Sequence, residues 1–146
     1  MLYINMIKTF QYRIYPTDKQ IHELTIQFGI NRYIWNEALH HIKTNLNNKF
    51  PGKSTMEKRL VQIKKNEETS WIKQANSQSL QKTVKRLAKS FDNFFKKIGK
   101  YPKFKKRKDI QSIEVPQHFS LELCLNKRKA LLKIPKIGYL DLRYHR

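Results

Sequence analysis

The chain has 146 residues, and its 31 Lys and Arg against 11 Asp and Glu give a formal net charge of +20. With 39% hydrophobic residues it has enough apolar material for a modest core, in one domain or two small lobes, so a disordered basic tail is excluded. A surplus of this size repels itself on folding and calls for a polyanion, while the lack of any apolar run of about 18 residues or lipid-anchored amphipathic helix excludes a membrane.

The N-terminus, Met1-Leu-Tyr-Ile-Asn-Met6, has neither the charged start, the long apolar stretch nor the cleavage site of a secretory signal, which places the protein in the cytoplasm. From Lys8 to Tyr15 polar and apolar residues alternate, with Phe10, Tyr12 and Ile14 on one face and Gln11 and Arg13 on the other, predicting a half-buried strand. Pro16 ends it. Thr17-Asp-Lys-Gln20 then predicts a capping box, in which Thr17 caps a helix and Gln20 reaches back. Ile21, Leu24 and Phe28 keep a helical period, Gly29 interrupts it, and Tyr33, Ile34, Ala38, Leu39 and Ile42 resume it, predicting two helices joined by a tight turn. Any helical hairpin gives this spacing, so the spacing alone does not establish a DNA-reading helix-turn-helix.

Asn45 to Ser54, with Asn47, Asn48, Pro51 and Gly52, reads as a loop, and Ser54-Thr-Met-Glu57 as a second capping box before a short helix ending near Asn66. Leu80, Val84, Leu87, Phe91, Phe94, Phe95 and Ile98 predict a long helix up to Gly99. Composition changes there. Beyond a cationic run from Lys100 to Lys108, short alternating segments at Gln111–Val115, Phe119–Leu125, Ala130–Ile134 and Tyr139–Arg143 read as strands, divided by Pro116, Asn126-Lys127 and Pro135–Gly138. The expected fold is therefore α+β. A small β-barrel or sheet, built from residues 6–16 and 100–146, is interrupted by an inserted lobe of about four helices over 17–99.

No catalytic residue is predicted. Metal-dependent nucleases gather two or more carboxylates, whereas here only Glu67 and Glu68 are adjacent, and they read as a solvated helix end or loop. His40 and His41 are neighbours that a helix splays by about 100°, and His22, His118 and His145 have no sequence-local partner, so no metal site is predicted either. The single Cys124 reads as a structural thiol and receives no role. With only four glycines and no phosphate-cradling loop, no cofactor is expected within the chain.

The basic residues carry the stronger signal. Eight Lys and Arg lie between Lys96 and Lys108, interleaved with Tyr101 and Phe104 and kinked at Pro102, a combination that neutralises phosphates and stacks on bases. A charge run is usually a solvated face, but the whole-chain surplus and the folded flanks favour binding here. On the long helix Lys82, Lys85, Arg86 and Lys89 form a positive stripe beside the Gln78 and Gln81 amides, which have the reach and the donor/acceptor pair for base edges.

Several of these segments, in order along nearly the whole chain, resemble the TnpB (OrfB) proteins of bacterial insertion sequences. They are Lys8–Gln20, Phe28-Gly-Ile-Asn-Arg-Tyr-Ile-Trp-Asn36, Ser70-Trp-Ile72, Ser77-Gln-Ser-Leu-Gln81, Phe91-Asp-Asn-Phe-Phe95, Tyr101-Pro-Lys-Phe-Lys105, Ser112 with Pro116-Gln117, and Ile134–Gly138 through His145-Arg146. The resemblance implies an RNA-guided DNA nuclease, with a β-barrel wedge domain interrupted by a helical recognition lobe, then a RuvC-like domain that uses Mg and usually Zn. The Asp/Glu/Asp set and zinc cysteines of that domain are not among these residues, so the expectation is a chain truncated before it, binding nucleic acid without cutting it.

The implied partners are a transposon-derived guide RNA and double-stranded DNA, with oligomeric state open. Gln81 matches the family position that touches the short motif flanking the target. Arg13, Arg32, Lys103, Lys105 and Arg107 fall on basic family positions facing guide or duplex backbone, and Lys106 joins them in the same run. Asn36 is expected to cap or brace the helical pair, and residues 1–5 to be an extension without a role. Two other readings stay open: one piece of a split or frameshifted endonuclease, and a ribosome-associated RNA-binding protein.

Overall fold

A computed structural model describes residues 6–124 and 128–144. Residues 1–5, the Leu125 end of one expected strand, the Asn126-Lys127 turn and the terminal His145-Arg146 lie outside the described residues. Thr17 opens the first helix by the expected capping box: its hydroxyl accepts the Gln20 N–H at 3.3 Å, and Gln20 Oε1 accepts the Thr17 N–H at 3.0 Å. The helix, α1 (Asp18–Asn45), then runs for 28 residues without a break. This corrects the expected pair of helices. Gly29 takes no left-handed φ, and a Cβ there would meet only Arg32 Nη2, at 3.7 Å. Its helical cost of about 1 kcal/mol is outweighed by burial of Gln27, Ile30, Asn31 and Ile34 on both sides of it.

The second helix, α2 (Lys53–Lys65), starts at Gly52, so Ser54 to Glu57 already lie inside its first turns and the capping box expected there does not form. It ends on Asn66 as expected, and the Asn66 side chain accepts the Glu68 N–H at 3.1 Å to cap a 3-10 helix, Glu67–Gln74. Asn76 repeats the device for α3 (Ser77–Phe95), accepting from the Gln78 N–H at 2.9 Å. That helix stops short of the predicted Gly99. Lys97 adopts φ 60, and the Ile98 and Gly99 N–H groups turn back to the Asn93 carbonyl.

One core unites these helices, built on Ile34, Leu39, Ile42, Met56, Leu60, Ile72, Leu80, Leu87 and Phe91. An Arg59–Glu37 ion pair ties α2 to α1. Helices α1 and α3 run in the same direction along a polar seam. Gln27 donates to the Gln74 carbonyl (2.9 Å) and accepts the Asn76 N–H (3.1 Å), while Asn31 donates to the Gln27 carbonyl (2.8 Å) and accepts the Thr83 hydroxyl (2.7 Å). Each buried polar group in that seam thereby finds a partner.

The strands form an open four-stranded antiparallel sheet in the order β1-β4-β3-β2, not a closed barrel. The expected first strand contracts to β1 (Ile14–Tyr15), which does join the late strands, pairing with β4 (Gly138–Arg143). The others are β2 (Ser120–Leu123) and β3 (Lys129–Ile134). Gln111–Val115 is not a strand. Register gathers Ile14, Leu142, Leu140, Ala130, Leu132, Leu121 and Leu123 on one face, buried at Ala130, Leu140 and Leu142 and exposed at the β2 edge. Cys124 lies exposed just beyond β2.

Candidate nucleic-acid interface

Residues 101–117 form an irregular strap laid across α1 and α3, and its anchoring begins with Tyr101. The Tyr101 ring meets Phe91 and Phe94 edge-on, at 5.5 and 5.2 Å between centroids, and its hydroxyl donates to Asn48 Oδ1 at 2.8 Å. Burial raises that phenol above its usual range. Trp35 Nε1 donates to the Lys103 carbonyl at 2.9 Å. Asn36 then grips the chain at two points, donating to the Lys105 carbonyl (2.9 Å) and accepting the Lys105 N–H (2.8 Å). It braces the strap rather than the helical pair.

Lys105 lies with Nζ 4.2 Å from the Trp35 ring centroid. Its ammonium is held below its ordinary range, first by burial and then by Arg86, with Asp109 opposing. After it the chain turns, with the Lys106 N–H donating to Asp109 Oδ2 at 2.7 Å. The Gln111 amide nitrogen is directed at the carbonyls of Lys106, Arg107 and Asp109, and Gln111 Oε1 accepts from Arg32 at 3.1 Å. The strap next crosses to α3. Arg86 donates to Ser112 Oγ (3.3 Å), Lys82 pairs with Glu114 (3.4 Å), Ser79 donates to the Glu114 carbonyl (2.8 Å), and Gln78 donates to Gln117 Oε1 (3.0 Å).

This geometry divides the eleven expected binding residues. Arg32, Lys82, Arg86 and Lys105 hold the strap in place. Lys103, Lys106 and Arg107 are exposed along it, with no side-chain hydrogen bond or ion pair among the described residues, and Arg13 is exposed beside β1. Gln78, Gln81, Lys82 and Lys85, which recur on one face of α3, converge with Pro116 and Gln117 of the strap on a cleft of about 240 Å³. Within it Gln81 is exposed, and Gln78 Oε1 is buried with no hydrogen-bond partner among the described residues. The sequence reading missed Trp35, Gln111 and Glu114 as supports, because their partners lie 68, 79 and 35 residues away and nothing local marks them.

Among the described residues no group of three or more His, Cys, Asp or Glu is placed to hold a metal ion. His41 Nδ1 lies 2.9 Å from Asn45 Nδ2, and burial, then Arg59, lowers its pKa. No helix among the described residues is long and apolar enough to cross a membrane.

The helix-turn-helix domain profile HTH_OrfB_IS605 matches residues 6–49, the region of β1 and α1. A protein of Escherichia coli (strain K12) named "Putative RNA-guided DNA endonuclease InsQ" is 30% identical over 142 residues, which cover 96% of this chain and 34% of that protein. This chain belongs to the TnpB/OrfB family. A Streptomyces pristinaespiralis protein, whose name is the same without the final word, is 36% identical over 103 residues, or 69% of this chain and 26% of its own length. The chain thus spans about a third or less of these TnpB/OrfB relatives. The family's helix-turn-helix region is here one uninterrupted helix.

Proposed function

We propose that this chain is the part of a TnpB/OrfB protein that grips nucleic acid and inspects the short motif flanking a target in double-stranded DNA, alongside a transposon-derived guide RNA. In this reading Lys103, Lys106 and Arg107 neutralise phosphates from the fixed strap, and Arg13 adds a contact near β1. Arg32, Arg86 and Lys105 contribute by holding that strap in register, and Lys82 and Lys85 flank the cleft with positive charge. Gln81 offers a donor and an acceptor to a base edge, while Gln78 ties the helix wall of the cleft to Gln117 of the strap. DNA cleavage, which the relatives' names state of them, is assigned to residues outside these 146, whose carboxylates are scattered.

The observation that carries the reading is the cleft: the amides of Gln78 and Gln81 and the cations Lys82 and Lys85 line one wall of it, and Pro116 and Gln117, at the far end of the strap, line the other. The test is selection from a duplex library randomised at the flanking motif. Gln81→Ala should reduce sequence preference by about 1–3 kcal/mol at one or two positions while leaving affinity for unrelated duplex unchanged. An unaltered preference would remove Gln81 from base reading.

A further inference from the structure

The solvent face of the sheet holds a second and chemically different arrangement. Register sets Tyr15 opposite Asp141 and Lys129 opposite Arg143, so these four side chains share a face with Tyr139 and Lys133. A cavity of about 370 Å³ opens there, lined by Tyr15, Lys129, Asp141, Leu142 and Arg143. That volume falls in the range of about 300–1,000 Å³ typical of small-ligand clefts. Three features need a common account. Tyr15 leaves 48% of its surface exposed on a sheet face that could have carried a small polar residue. Asp141 sits among Lys129, Lys133 and Arg143, yet it forms no ion pair with them; the acids paired among the described residues are Glu37, Asp92 and Glu114. The cations of the face, Lys129, Lys133 and Arg143, outnumber its carboxylates, Glu122 and Asp141.

We propose that this face binds single-stranded nucleic acid, with one base stacked on Tyr15, the Asp141 carboxylate accepting from that base's amino group, and Lys129 and Arg143 meeting the adjacent phosphates. Aromatic rings interleaved with cations are the general solution for unpaired strands, because every base has a face to stack. A carboxylate adds selectivity. Cytosine presents an amino donor, whereas uracil presents carbonyl oxygens on both sides of a single N–H, and those oxygens repel Asp141. Duplex is excluded from the pocket because its bases are stacked and their pairing edges occupied. The proposal rests on reading the chain as a nucleic-acid binder, but on none of the strap or cleft residues.

The experiment measures fluorescence anisotropy of labelled ten-nucleotide oligo(C) and oligo(U) RNA with the full chain, at neutral pH and moderate salt. The wild type should bind oligo(C) about fivefold or more tightly than oligo(U). Asp141→Asn, which offers a donor and an acceptor, should bring the ratio towards one, and Tyr15→Ala should weaken both by about fivefold or more while Tyr15→Phe retains them. Equal wild-type affinities, or a preference that survives Asp141→Asn, overturns the proposal. Loss of single-strand binding with duplex binding intact sinks it alone; no binding to either sinks the proposed function as well.

Discussion

Asn36→Leu keeps side-chain bulk at a half-buried position but removes both hydrogen bonds that fix the strap, at 2.9 and 2.8 Å to the two backbone groups of Lys105. At about 1 kcal/mol each, the change withdraws about 2 kcal/mol from the docked strap. With a urea dependence of about 2 kcal/mol per molar, the unfolding midpoint should fall by up to about 1 M. Local release is the sharper readout. Trypsin cuts after lysine and arginine, and five such residues lie between Lys103 and Lys108. If cleavage follows opening of the strap, 2 kcal/mol raises its rate about 30-fold, and Asn36→Asp, which retains the acceptor for the Lys105 N–H, should fall between. A midpoint and a cleavage rate both equal to wild type would refute the clamp.

Gly29→Ala should raise the urea midpoint, by the equivalent of about 0.5–1 kcal/mol, because a continuous helix favours alanine and the added Cβ meets only Arg32 Nη2 at 3.7 Å; a lowered midpoint would restore a turn at that position. His41 has a folded-state pKa below 6.5, from burial first and Arg59 second, so folding favours its neutral form. The stability it contributes is present above pH 6.5 and lost as pH falls through the lowered value, so wild type should lose stability on acidification more steeply than His41→Gln, and parallel pH profiles would contradict this.

Signals complete within a few residues survived folding, and signals that needed a distant partner did not. The Thr17–Gln20 box formed because both of its hydrogen bonds close within four residues. The break at Gly29 was overridden by a core that buries residues on either side of it. Lys8–Tyr15 and Gln111–Val115 alternate equally well. Ile14 and Tyr15 pair with Leu142 and Asp141 of β4, and the Arg13 carbonyl accepts the Arg143 N–H, while Gln111 and Glu114 are drawn to Arg32, Ser79 and Lys82. The cleft wall was legible because residues 78, 81, 82 and 85 recur on one helical face, but its strap side was not. Nor does sequence distinguish Arg32, Arg86 and Lys105, engaged with the strap, from Lys103, Lys106 and Arg107, which face solvent.

The claim that the strap presents cations to a phosphate backbone is tested most directly by the slope of log affinity for duplex DNA against log salt concentration. Each phosphate contact contributes about 0.9 to that slope, so replacing Lys103, Lys106 and Arg107 with alanine should flatten it by about 2.7 while the urea midpoint holds. A steep slope left unchanged by the triple substitution would contradict the account and place the contact surface elsewhere on the molecule.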